Sequence, residues 1–175
     1  MMYDFDWGAE IKPGVGMLGL PLGLTYDAVT KLIAAKVEGK TGIAVFKNSP
    51  RLLVDSSQEG AIFLRGADVK ERTYDWHGLL ARLIFDQEIL TQIIVQYFKG
   101  EDKYRYSGKL FGDIGLGSKV VELMEFHKFD FDDGDEVFYS NEVAGLEVGS
   151  ENSCSLEEIP GQNIVYIKVF KPMFQ

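Results

Sequence analysis

Two histidines, one cysteine and a crowded run of acids have the widest chemical scope in this chain. His77 lies in Asp75-Trp76-His77-Gly78 and His127 in Phe126-His127-Lys128. An imidazole can serve as base, acid or metal ligand near neutral pH. Covalent catalysis would also need a nucleophile within hydrogen-bond reach, and no serine or cysteine here carries a local nucleophile signature. Cys154 sits in the polar run GSENSCSLEEIPGQN at 149–163. It is the one cysteine, so no disulfide forms within the chain. Asp130, Asp132, Asp133, Asp135 and Glu136 surround Gly134. A calcium loop needs D-x-D-x-D-G and a distant bidentate Glu. Here two acids are adjacent, and the twelfth position counted from Asp130 is Asn141, so the register fails. The segment GVGMLG at 14–19 matches G-x-G-x-x-G. A phosphate loop also needs a strand before the match and a helix after it, whereas Leu20-Pro21 follows and Lys31 is out of place. No catalytic residue, metal or other cofactor is therefore expected, and the chain is read as not an enzyme.

The elements that would position these residues are short and mostly extended. Thr25 is a good cap for a helix over 25–37, with Asp27 at its positive end and Gly39 stopping it. Strands are expected at 43–46, 52–54, 61–64, 79–85 and 89–98. After a charged, glycine-bounded connection at 99–108, a second helix over 118–126 would be capped by Ser118. Strands at 126–131 and 136–140 then flank Asp133-Gly134, which predicts a tight type I′ turn. Further strands are expected at 146–148 and 164–170. Leu20-Pro21-Leu22-Gly23 resembles Ile114-Gly115-Leu116-Gly117, and each is followed by V-x-x-L (Val29/Leu32 and Val120/Leu123) and then by strands about a turn. The expected fold is thus α+β: two repeated helix-plus-antiparallel-sheet units packed together, at 1–98 and 109–175.

Composition limits the partners. Of 175 residues, 46% are hydrophobic and 26% charged, as in globular domains. The net charge of −9 repels a phosphate backbone, which argues against nucleic acid, and attracts a basic partner. The N-terminal MMYDFDWGAE has neither a basic nor an apolar signal region, and no run spans a bilayer. A soluble, cytoplasmic protein that does not engage a membrane is expected.

The helix-then-strands plan, with Gly23-Leu24-Thr25 as the turn opening its first helix, resembles the tandem repeat of the β-lactamase-inhibitor proteins. I-x-LG-x-K-V at 114–120, DD-x-D-E-V-F-Y at 132–139 and A-G-L-E-V at 144–148 resemble small acidic bacterial immunity proteins. That resemblance implies a non-enzymatic protein that occludes the basic active site of a cognate toxin, such as a nuclease. Asp132, Asp133, Asp135 and Glu136 would supply the charge. Phe138, Tyr139, Tyr104 and Tyr106 would supply aromatic anchors. Two other classes stand beside it. One is a small-molecule-binding or hydrolytic domain using a pocket between the repeats, with His77 or His127 in it. The other is a structural or assembly domain.

Overall fold

The runs of Val, Ile, Leu and Phe fold into one antiparallel sheet. The computed structural model describes residues 3–69, 78–98 and 101–172, so His77 lies outside the described residues. A small hairpin of β1 (Gly16–Met17) and β2 (Leu20–Pro21) precedes helix α1 (Tyr26–Ala34). Then come β3 (Ile43–Val45), β4 (Arg51–Asp55), β5 (Ala61–Gly66), β6 (Leu79–Asp86) and β7 (Ile89–Gln96). The second segment carries β8 (Asp130–Asp132), β9 (Val137–Tyr139), β10 (Leu146–Ser150) and β11 (Ile164–Phe170). Strands β3 to β11 make a nine-stranded sheet in the order β3-β4-β5-β6-β7-β11-β10-β9-β8. Every neighbouring pair is antiparallel, and β7 pairs with β11, so one sheet runs through both halves of the chain. The architecture is sheet-rich, with little helix.

Side chains alternate across a strand, so the register assigns two faces. One face carries Leu52, Ile62, Leu64, Leu83, Ile93, Val95, Ile167, Val169 and Val148, all buried. Val29 and Ile33 of α1, Phe5 and Trp7 from the N-terminal segment, and Leu123 belong to the same apolar cluster. Helix α1 starts as expected: the Thr25 hydroxyl accepts from the Ala28 N–H at 3.2 Å. It ends at Ala34, earlier than expected, because the next residues serve the sheet edge. Val45 N–H donates to the Lys36 carbonyl at 3.3 Å and Glu38 N–H to the Ile43 carbonyl at 2.7 Å.

The second helix departs from expectation. It is a 3₁₀ segment, Val120–Glu125, preceded by Lys119 with no side-chain cap. Ser118 does not cap it, since its hydroxyl turns back to accept from the Gly115 N–H at 3.0 Å. The β-branched pair Val120-Val121 is a weak helix start, and the Val120 N–H is drawn to the Gln162 carbonyl at 3.1 Å.

Turn chemistry also differs. Asp132 pairs with Val137, so the acidic turn has four residues, and of these Glu136 alone has positive φ (57°) among the non-glycines. Asp133-Gly134 is not a type I′ turn, because Asp132 instead accepts from the N–H groups of Gly134 (2.8 Å) and Asp135 (3.1 Å). The two-residue left-handed turn is at Gln87-Glu88 (φ 48° and 65°), joining β6 to β7. The GVGMLG segment forms the β1–β2 hairpin, where a Cβ on Gly19 would lie 2.2 Å from the Asp4 carbonyl oxygen. That glycine serves close backbone packing.

The two glycine-ended segments dock alike at the sheet centre. Gly23 N–H donates to Leu90 O, Leu90 N–H to Leu24 O and Tyr26 N–H to Glu88 O, each at 2.8 Å. Gly117 N–H donates to Ile164 O (2.8 Å), Ile164 N–H to Ser118 O (2.8 Å) and Val120 N–H to Gln162 O (3.1 Å). These bonds match Tyr26 with Val120 and Val29 with Leu123, so the two V-x-x-L motifs, Val29/Leu32 and Val120/Leu123, do not occupy equivalent positions.

Candidate binding surface

The outward side chains of the sheet form a second face. The register places Asp130, Tyr139, Glu147, Lys168, Ile94, Arg82, Phe63 and Asp55 in one row across eight strands. The adjacent row holds Asp132, Val137, Gly149, Tyr166 and Gln96. Apart from Ile94 and Gly149, these side chains keep part of their surface accessible, unlike the sealed core face. Aromatic rings and charges alternate along it. Lys168 pairs with Glu147 at 2.8 Å and lies 5.1 Å from the Phe170 ring. Arg65 approaches Asp55 at 3.8 Å and the Phe63 ring at 5.8 Å. Arg82 lies 5.9 Å from the Tyr166 ring.

A glycine shapes the acidic end. A Cβ on Gly149 would come within 2.9 Å of the Tyr166 Cβ, so the bare backbone lets that ring lie across β10. Beside it is a depression of about 460 Å³ lined by Asp135, Glu136, Val137, Glu147, Gly149, Tyr166 and Lys168, among others. A second, of about 770 Å³, shares Glu147 and extends past Asp132, Tyr139 and Phe170 to the loop at 140–145. Burial pushes the Tyr166 phenol up to about 12, with Glu147 and Asp135 adding to the rise and Arg82 opposing it. Tyr166 therefore stays neutral and can donate a hydrogen bond at physiological pH.

The expected site residues divide. Asp132, Asp133, Asp135 and Glu136 are exposed at the β8–β9 turn, and none makes an ion pair among the described residues. Tyr139 is half-exposed beside them. Phe138, Tyr104 and Tyr106 are corrected from anchors to core residues, at 2%, 3% and 1% exposure. Phe138 points to the opposite face from Tyr139 and packs on Phe131, with ring centroids 4.9 Å apart. The Tyr106 hydroxyl donates to the Ala9 carbonyl, and its ring meets Trp7 edge-on at 5.7 Å. The Tyr104 hydroxyl donates to Asp68 at 3.3 Å. Sequence reasoning missed Phe63, Arg82, Tyr166, Lys168 and Phe170. The last three stand at every second position of IVYIKVF, a readable signal for one strand face.

The remaining reactive groups lie apart. His127 Nδ1 is 3.1 Å from Glu142 Oε2, and its ring lies 5.0 Å from that of Phe111. It lines neither depression. Cys154 is half-buried, and its backbone carbonyl accepts from Gln162 Nε2 at 2.7 Å, a bond that holds the 149–163 loop. Among the described residues no three His, Cys, Asp or Glu converge as a metal requires, and no helix is long and apolar enough to cross a membrane. No protein-family model, curated protein or solved structure matches this chain.

Proposed function

We propose that this is a non-enzymatic, cytoplasmic protein-binding protein, and specifically an immunity protein that occludes the basic active site of a cognate bacterial toxin. One observation carries the reading. A broad sheet face with half-exposed aromatic rings adjoins a turn bearing four acids without ion-pair partners among the described residues. Aromatic rings beside charge give contact area, and uncompensated charge at the rim speeds encounter with a partner of opposite sign. The acids Asp132, Asp133, Asp135 and Glu136 steer, while Tyr139 and Tyr166 make contact. The fold behind it is proposed as a duplicated unit, 1–98 and 109–175. The Gly23 and Tyr26 N–H groups donate to the Leu90 and Glu88 carbonyls in the same spacing in which the Gly117 and Val120 N–H groups donate to the Ile164 and Gln162 carbonyls, which supports that.

The test uses any toxin-like protein found to be encoded next to this chain, and a variant with all four turn acids changed to lysine. Association is expected to slow at least ~10-fold at low salt, with the gap narrowing as salt rises. Equal association rates for parent and variant at low salt would remove the turn from the site. No binding by the parent would remove the toxin reading itself.

A further inference from the structure

We infer that Arg82 is the central anchor of the sheet's open face and receives a carboxylate side chain from the protein partner. This rests on the protein-binding reading above and adds the chemistry of the contact. Four arginines lie among the described residues, and three have acids: Arg51 with Glu38 at 3.1 Å, Arg65 with Asp55 at 3.8 Å and Arg105 with Asp102 at 3.7 Å. Arg82 makes no ion pair within the described chain. Its Nη2 makes one long bond to Gln96 Oε1 at 3.4 Å, and its Nε is buried with no acceptor.

A guanidinium carries five donors in a rigid fork. Holding it partly out of water with so few acceptors is unfavourable, and the Tyr166 ring offsets only part of that. A carboxylate taken up end-on would satisfy two donors at once. The position suits such a contact. Arg82 stands in the fourth strand of nine, with Phe63 on one side in its row and Ile94 on the other. Rings beside a central arginine exclude water from the bond, the setting in which binding energy concentrates. The nearest other cation in the row, Lys168, is already held by Glu147. The partner is therefore basic where it meets the β8–β9 turn and presents an Asp or Glu to the middle of the sheet.

The experiment follows the arginine Nε–Hε resonances of the full-length labelled chain. The probes are a capped pentapeptide with a central Glu between leucines, its Gln twin, and inorganic phosphate. Arg82→Lys, which keeps the charge and loses the fork, assigns the signal. The expected result is movement of the Arg82 signal with the Glu peptide only, and about tenfold weaker peptide binding in Arg82→Lys. Equal shifts with the Gln peptide, no shift up to millimolar peptide, or an equal response to phosphate alone would overturn the inference. The last outcome would mark a free-anion site, and peptide-independent dimerisation that buries Arg82 would make the occupant a second copy. If a toxin binds the parent and Arg82→Lys equally well, the anchor fails while the protein-binding reading stands. If no toxin binds, that reading fails and the peptide titration still judges Arg82.

Discussion

Phe138→Ala separates a core ring from a docking ring. The side chain is 2% exposed, faces Val148 across the β9–β10 register and packs against Phe131 at 4.9 Å. Deleting a buried phenylalanine side chain costs about 3–5 kcal/mol through lost transfer energy and the cavity left behind. Strands β8 and β9 lie at the edge of the sheet, where neighbours can partly close the gap, so the lower end applies. With an m-value of about 2–3 kcal/mol/M in urea, about 3 kcal/mol moves the midpoint down by about 1–1.5 M. Urea unfolding followed by far-UV circular dichroism measures this directly. Tyr139→Ala is the control, because its ring lies on the open face, half-exposed, and about 1 kcal/mol or less is expected. A Phe138→Ala midpoint within about 0.3 M of the parent would refute the assignment of this ring to the core.

Asp6 ties the N-terminal segment to residues 47–48: its carboxylate takes Lys47 Nζ, Asn48 Nδ2 and the Gly8 N–H, each at 2.8 Å. Burial pulls its pKa up, but those hydrogen bonds outweigh it and hold the carboxyl below its ordinary value. Its stabilisation is full above the unfolded pKa and fades as pH falls through the lower folded one. Asp6→Asn should cost about 1–2 kcal/mol at pH 7, and the gap between parent and variant in thermal melts should shrink below about pH 4. Tyr166 has the opposite sign. Its phenol, pushed up to about 12 by burial, favours the folded state below the unfolded value near 10 and loses that advantage as pH rises from about 10 to about 12. The parent should therefore lose stability more steeply than Tyr166→Phe in that window, read by melts at stepped alkaline pH.

Strands and the first helix were legible in the sequence because each had a local cause. Thr25 supplied a cap, and β-branched runs between turn residues supplied the strands. The second helix was misjudged because a capping serine is only a potential, and the Ser118 hydroxyl had a nearer donor in Gly115. Turn type followed composition in neither the β8–β9 nor the β6–β7 hairpin. Asp133-Gly134 has the composition of a tight turn, yet the Asp132 side chain organised a longer one. Gln87-Glu88 lacks that composition and is held in left-handed geometry by the long β6–β7 ladder. Tyr104 and Tyr106 lay in a charged stretch that read as solvent-exposed. The pattern of buried Tyr104, Tyr106 and Gly108 between exposed Lys103, Arg105 and Ser107 is a period-two signal that the charges obscured. The open face was not legible as a whole, because it joins side chains from strands far apart in the chain.

The pairing of β7 with β11 also fixes an order of events. Residues 92–96 can complete their hydrogen bonds only when residues 164–170 have been synthesised and have folded back. Until then β7, rich in isoleucine and valine, is an unprotected sheet edge, the kind of surface that recruits other chains. Both final edges are guarded: residues 36–38 cover β3, and β8 is three residues long with aspartates at its ends. An aggregation-prone interval therefore falls during synthesis, and slowed translation between β7 and β11 lengthens it.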